Sequence, residues 1–137
     1  MLKRLVLLTC LASGAWAFLA WPRINEVQTG RTPEYPDLRD RAYATTESRV
    51  FDAVKKVIGQ LPRWTLVGGG SGPGGHSIHA IKATPLGLKH DVTIRIGREG
   101  GQTRVSVRSK SRTGPVDFGQ NARNIRELLA ALDREVS

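Results

Sequence analysis

Residues 104–126 read RVSVRSKSRTGPVDFGQNARNIR, and this stretch decides the fold. Its first half alternates valine or serine with basic residues, which is typical of a β-strand that buries one face. Gly114 and Pro115 then favour a turn. Asp117 is a candidate helix cap, and Gln120 three residues later completes a capping-box pattern. The stretch therefore predicts a basic strand that turns into a helix.

The strand predicted at Thr103 to Arg112 has a partner directly before it, at Asp91 to Arg98. A two-residue turn at Gly100-Gly101 joins them and sets Glu99 opposite Gln102. Alternation places an apolar set on one face: Val92, Ile94, Ile96, Val105 and Val107. The other face carries Asp91, Thr93, Arg95, Arg104, Ser106, Arg108, Lys110 and Arg112. We expect a sheet that is covered on one side only.

The remaining elements follow from the same periodicities. Arg41 to Ala44 is a possible edge strand, and Trp64 to Val67 and His76 to Thr84 are two more strands, joined by a flexible glycine-rich connection at Gly68 to Gly75. A helix capped by Thr45 or Thr46 precedes them and ends at Pro62; its apolar positions are Val50, Val54, Val57, Ile58 and Leu61. A final helix has the stripe Phe118, Ala122, Ile125, Leu129, Leu132 and Val136.

These elements predict an α+β two-layer sandwich, in which a four- to five-stranded antiparallel meander is covered on one face by two helices. The predicted organisation has three parts. Residues 1–22 are a signal peptide or an N-terminal membrane anchor, 23–44 are an extended linker or lead-in strand, and 45–137 are a single α+β domain.

The N-terminal segment predicts export. Lys3 and Arg4 precede an uncharged run from Leu5 to Trp21, which as a helix would rise about 25 Å, slightly less than the hydrocarbon core of a bilayer. Small residues at Ala15 and Ala17 also suit signal-peptide cleavage, so a cleaved signal and a transmembrane anchor both remain open. By either route we expect a cell-envelope location, periplasmic or anchored in the inner membrane with the domain outside the cytoplasm.

The composition indicates which classes of partner the protein can bind. Twenty-one Lys and Arg residues against 12 Asp and Glu give a formal net charge of +9, which favours anionic partners. Export conflicts with nucleic acid binding, so we expect no nucleic acid partner. The single cysteine, Cys10, lies in the apolar N-terminal run, so the folded part is predicted to have no disulfide.

One group of motifs resembles a known family. Asp91-Val92 opens a strand, and the residues that follow later are Arg108, Ser109, Ser111, Arg112, Gly114, Asp117, Gly119 and Asn121. This arrangement is similar to the bacterial and plastid family called domain of unknown function 1499, over about residues 28 to 132. His90, Pro115 and Asn124 depart from the family pattern, since the family has an Asp pair at the first position and an arginine before Ile125. The resemblance implies a shared fold unit and no particular activity.

No catalytic or metal-binding arrangement is predicted. His76 and His79 are three residues apart on a strand and so face opposite ways, and two ligands are too few for a metal site. A triad of Ser109 or Ser111 with His90 and Asp91 is disfavoured, because His90 and Asp91 point to opposite sides of their strand. We therefore expect a non-enzymatic protein without a metal or a cofactor.

The basic sheet face is the leading candidate site, with Arg95, Arg104, Arg108, Lys110 and Arg112 as candidate anion-binding residues. It would dock a lipid headgroup, an anionic glycan or an acidic protein. The alternative is a solvated face with one weak surface ion pair between Asp91 and its neighbours.

A second functional hypothesis is a helix-grip-like binder of a lipid-like apolar ligand, with the glycine-rich loop as a lid. Ser109 and Ser111 fall on the inner face near the start of the last helix. They form either a small anion site or partners for the Gly114-Pro115 turn and the Asn121 amide. The oligomeric state is left open.

Overall fold

The structure is a computed structural model that describes residues 21–137. The predictions for residues 1–20 therefore lie outside the described part of the chain. The strands are β1 (Glu26–Gln28), β2 (Arg41–Tyr43), β3 (Trp64–Gly72), β4 (Gly75–Ala83), β5 (Lys89–Glu99) and β6 (Gln102–Ser111). The helices are α1 (Glu47–Gln60) and α2 (Gln120–Val136).

The strands form one antiparallel sheet of six, in the order β1-β6-β5-β4-β3, with β2 also paired to β6. Both helices contribute to the core that lies on one face of this sheet. The predicted α+β two-layer sandwich is thus confirmed. Its meander has one strand more than the upper limit predicted, because the lead-in supplies both β1 and β2.

The hairpin register is the predicted one. Glu99 lies opposite Gln102, and Ile96 lies opposite Val105. Gly100 and Gly101 have φ angles of 60° and 80°, which is the left-handed pair that a tight hairpin turn needs and that glycine adopts without strain.

The two faces sort as the alternation predicts. The valines and isoleucines of β5 and β6 are buried with the apolar stripes of α1 and α2: Val50, Val54, Val57, Ile58, Val92, Ile94, Ile96, Val105, Val107, Ile125, Leu129 and Leu132. The predicted cations of the same strands, Arg95, Arg104, Arg108 and Lys110, face outward and are exposed. Thr46 caps α1 by accepting a hydrogen bond from the backbone N–H of Arg49 at 3.2 Å.

The start of α2 differs from the prediction. Its N-cap is Gly119, which has a φ of 77° and no side chain to cap the helix. Asp117 lies two residues earlier, and its carboxylate accepts the N–H of Gly119 at 2.8 Å. The capping box is therefore wrong. Phe118 precedes the helix and is 45 % exposed, so it does not belong to the apolar stripe.

The glycine-rich stretch is also not a flexible connection. β3 continues through it to Gly72, and β4 begins at Gly75, so most of the glycines pair in the sheet. A strand that is paired along its length does not provide the predicted lid. Among residues 21–137, no helix has the length and apolar character needed to cross a membrane.

Candidate functional site

A cluster of buried polar side chains lies at one end of the sheet, on the inner face, where α2 begins. β5 contributes His90, β6 contributes Ser109 and Ser111, and α2 contributes Asn121, with Asp117 in the loop before it. Inner positions of a one-sided sheet normally carry apolar residues. Polar groups at such positions must find partners within the protein.

Asn121 organises the cluster because its amide orientation is determined by its neighbours. Its Nδ2 donates to Asp117 Oδ2 at 2.7 Å and to the carbonyl oxygen of Asn25 at 2.6 Å. Both of these groups can only accept. The amide oxygen therefore points the other way, where it accepts the hydroxyl of Ser109 at 2.8 Å.

This orientation also determines the tautomer of His90. His90 Nδ1 lies 3.0 Å from the Asn121 amide oxygen and 3.0 Å from the Ser111 hydroxyl oxygen. Since the amide oxygen only accepts, Nδ1 carries the proton and donates it. In the neutral ring the lone pair is then on Nε2, which is buried and has no hydrogen-bonding partner among residues 21–137.

The same histidine borders a cavity of about 410 Å³. The cavity is walled mainly by apolar side chains from the β4–β5 loop and from the loop before α2, with basic residues among its lining: Pro85, Leu86, Leu88, Val116, Phe118, Lys89 and Arg123. His90 itself is only 3 % exposed. The arrangement combines a largely apolar cavity with a lining histidine whose buried Nε2 has no partner among residues 21–137, and such a composition suits a small-molecule site.

The structure does not assemble the disfavoured triad. Ser111 is close to His90, but it lies at the nitrogen that already carries a proton, so His90 cannot accept the Ser111 proton there. Ser109 bonds Asn121. Asp91 faces the opposite side of the sheet, where it binds Arg112.

The two inner serines take one of the two roles that the sequence left open. Ser109 donates to the Asn121 amide oxygen, and the Ser111 hydroxyl oxygen lies 3.1 Å from Asn121 Nδ2, whose two hydrogens are shared among three acceptors. The Gly114-Pro115 turn has a different partner, since Asn25 Nδ2 donates to the Gly114 carbonyl oxygen at 3.0 Å. Sequence reasoning missed His90 as a site residue. The one available signal was its inner register, two residues from Val92 on an otherwise apolar face.

The predicted anion-binding residues all lie on the outer face, but most of them are paired. Arg104 contacts Asp40 at 2.8 Å and Glu99 at 2.7 Å. Arg108 binds Glu26, and Arg112 makes a two-pronged contact with Asp91 at 2.9 and 2.8 Å. Arg95 and Lys110 form no ion pair with residues 21–137.

These ion pairs change the pKa values of two carboxylates. The hydrogen bond from Arg108 lowers the pKa of Glu26 below its usual value, and the hydrogen bond from Arg112 does the same to the pKa of Asp91. The five predicted cations thus share the outer face and its rim with four carboxylates, so the excess of positive charge within this group is small.

The remaining histidines are apart from this cluster. His76 contacts the Phe51 ring and lies 3.5 Å from Glu47, whereas His79 is on the outer face near Thr93. The described part of the chain contains no group of three or more His, Cys, Asp or Glu residues placed to hold a metal ion.

The motif residues that carried the family resemblance occupy two places in this structure. Asp91 and Arg112 form the outer ion pair, and Ser109, Ser111, Asp117 and Asn121 form the buried cluster. A comparison with curated proteins found no match. The family model described as Protein of unknown function (DUF1499) matches residues 19–132. The resemblance read from the sequence is confirmed, and the chain belongs to this family.

Proposed function

We propose that the protein is a non-enzymatic domain of the cell envelope, exported or membrane-anchored, that binds a lipid-like ligand in the cavity beside His90. One observation carries the proposal: a buried imidazole nitrogen without a partner belongs to a residue that lines a cavity walled by Leu86, Leu88 and Val116. This supports the second hypothesis drawn from the sequence, at a different place from the one expected.

The energetics favour an occupant. A buried polar atom without a partner costs about 1–3 kcal/mol, and a ligand that donates a hydrogen bond to Nε2 would remove that cost. Apolar ligand surface gains about 25 cal/mol for each Å² that the leucine-lined wall takes out of water. A ligand with both features therefore fits the chamber better than water does.

The tautomer indicates the chemistry of the ligand's polar group. Neutral His90 offers Nε2 as an acceptor, because Asn121 holds the proton on Nδ1. The ligand must then supply a donor, and a hydroxyl on an apolar body is the simplest one. A carboxylate has only acceptor oxygens, so it would face the Nε2 lone pair without forming a hydrogen bond.

The test uses the full chain extracted from membranes in a mild detergent. Native mass spectrometry should show a co-purifying ligand, and a long-chain alcohol should displace it better than the fatty acid of equal chain length at neutral pH. His90→Phe should weaken binding of the alcohol by about fivefold, the equivalent of one neutral hydrogen bond. His79→Phe is the matched control on the outer face and should bind normally. An apo mass together with no binding of either probe would contradict the proposal.

A second candidate is docking of an anionic partner on the outer face, which is favoured by Arg95 and Lys110 having no ion pair among the described residues. The partner would be a lipid headgroup, a glycan or an acidic protein. Replacing Arg95 and Lys110 with alanine should then remove salt-sensitive retention on anionic vesicles or glycans. Retention that survives both changes excludes this role.

A further inference from the structure

We infer that the mouth of the cavity faces the membrane surface and that the β4–β5 loop, residues 84–88, inserts its leucines among the lipid headgroups. This inference rests on the proposed membrane attachment of the N-terminal segment. It does not require that the cavity hold a ligand. Three observations at the same end of the molecule carry it.

The first observation is the shape of the loop. Thr84 and Leu88 close it, since the Thr84 N–H donates to the Leu88 carbonyl at 2.8 Å and the Thr84 hydroxyl oxygen accepts the Leu88 N–H at 3.1 Å. Gly87, at a φ of 83°, makes the reversal. The closed loop leaves Leu86 89 % exposed and Leu88 50 % exposed. Two exposed leucines on a short, hydrogen-bonded loop are a preformed apolar protrusion.

The second observation is where the chain enters the domain. Trp21 is the last residue of the uncharged N-terminal run, and its ring packs edge-on against Phe118, with centroids 6.3 Å apart. The Ile24 carbonyl accepts the N–H of Asp117 at 2.9 Å. Phe118 and Asp117 also line the cavity. A segment held in the bilayer would therefore tether the domain by the end that carries the cavity mouth.

The third observation is the charge beside the loop. Lys89 and Arg123 line the cavity, and Arg23 is exposed two residues after Trp21. None of the three forms an ion pair within residues 21–137. Arg123 instead donates to the Phe118 carbonyl and stacks over the Trp21 ring. Cations that form no ion pair within residues 21–137, placed around an apolar protrusion, match a bilayer surface that contains anionic lipid.

The opposite end of the sheet provides the internal comparison. The β5–β6 hairpin ends there in Gly100-Gly101, next to the exposed polar residue Gln102. If the domain stands on the membrane by its cavity end, position 86 should contact lipid and position 102 should not.

The experiment places a polarity-sensitive dye at single cysteines in the full chain. Cys10→Ser removes the natural thiol, and Leu86→Cys or Gln102→Cys supplies the labelling site. The chain is reconstituted into vesicles of equal parts phosphatidylcholine and phosphatidylglycerol, with and without brominated acyl chains. Brominated lipid should quench the dye at position 86 strongly and leave the dye at position 102 unaffected. Adding Lys89→Gln and Arg123→Gln should reduce quenching at position 86.

Equal quenching at the two positions, no quenching at position 86, or failure of the full chain to associate with the vesicles would each overturn the inference. Ligand displacement in detergent is measured on the unlabelled Cys10→Ser chain, because a dye at position 86 would occupy the wall of the cavity. Normal displacement without quenching refutes the orientation alone, whereas quenching without any ligand binding refutes the cavity proposal alone.

Discussion

Asn121 shows how one side chain determines the chemistry of its neighbours. Its Nδ2 faces the Asp117 carboxylate and a backbone carbonyl, so its oxygen must face Ser109 and His90. The orientation of the Asn121 amide therefore determines which nitrogen of the buried His90 ring carries the proton. The residue is fully buried, so water cannot replace any of these partners.

We predict that Asn121→Ala lowers the free energy of unfolding by about 2–3 kcal/mol, because it leaves one Asp117 oxygen without a donor and the Ser109 hydroxyl without its acceptor in a buried site. Urea denaturation measures the change. Gln102→Ala, at an exposed position, is the control and should shift stability by less than about 0.5 kcal/mol. A similar small shift for Asn121→Ala would mean that the cluster contributes little.

On the outer face, Arg112 lowers the pKa of Asp91 from its ordinary value of 3.8. Arg112→Ala should raise that pKa, and carboxyl NMR titration measures it; Arg95→Ala should leave it unchanged. A carboxyl with a depressed folded-state pKa stabilises the fold above its unfolded pKa. That contribution is lost as the pH falls through the folded pKa. At neutral pH it should be below about 1 kcal/mol, because the pair is exposed.

At the scale of elements, the hairpin between β3 and β4 requires a glycine at one position. Gly75 has a φ of 111°, and a Cβ on it would collide with the carbonyl oxygen of Ile96. Gly74 beside it has open space around the same position. The hairpin therefore depends on one particular glycine, since only glycine combines this backbone angle with such close approach to β5.

We expect Gly75→Ala to destabilise the protein by about 2 kcal/mol or more, through backbone strain and the displaced β5 strand. Gly74→Ala should change stability by less than about 0.5 kcal/mol. Thermal and urea unfolding of the two variants, side by side, separate the effects. If both variants are equally stable, the hairpin is more adaptable than its geometry indicates.

The start of α2 shows why a local sequence motif can predict the wrong helix cap. Asp117 followed by Gln120 matches a capping box, and the carboxylate does accept a backbone N–H near the helix. However, its second oxygen is held by Asn121, and Gly119 in the left-handed region becomes the cap. The Asp117 carboxylate is thus engaged by the Gly119 N–H and by the buried amide of Asn121, four residues along the chain, and does not serve as the N-cap.

At the scale of the whole molecule, the net charge of +9 is distributed unevenly. The outer face nearly balances its charges, whereas Arg23, Lys89 and Arg123 at the cavity end form no ion pairs with the described residues. Neutralising the outer carboxylates should therefore release paired arginines. We predict that Glu26→Gln with Asp91→Asn raises the salt concentration needed to elute the protein from an anionic resin.

The matched control for this change is Glu34→Gln with Asp52→Asn, which alters the net charge equally at exposed carboxylates that form no ion pair in the described chain. It should raise the elution salt less than the outer-face pair does. An equal shift for both double variants would show that retention follows net charge alone and that the outer face has no special affinity.

The sequence by itself determined the central hairpin of the sheet and its two faces. Alternation from Asp91 to Arg112 and a two-glycine turn specify register through local geometry, because a slip of one residue would expose the whole apolar set. The same pattern placed the arginines outside, and the motif residues identified the family. These features depend on neighbours in the chain, so they can be read without coordinates.

Only the tertiary structure determined which partners those residues contact. Arg108 is neutralised by Glu26 and Arg104 by Asp40, partners that are 82 and 64 residues away. His90 became a buried acceptor because α2 brings Asn121 to it across 31 residues. The cavity exists because two loops that are distant in sequence meet at one end of the sheet. No local sequence pattern predicts these long-range contacts, since they arise from the packing of whole elements.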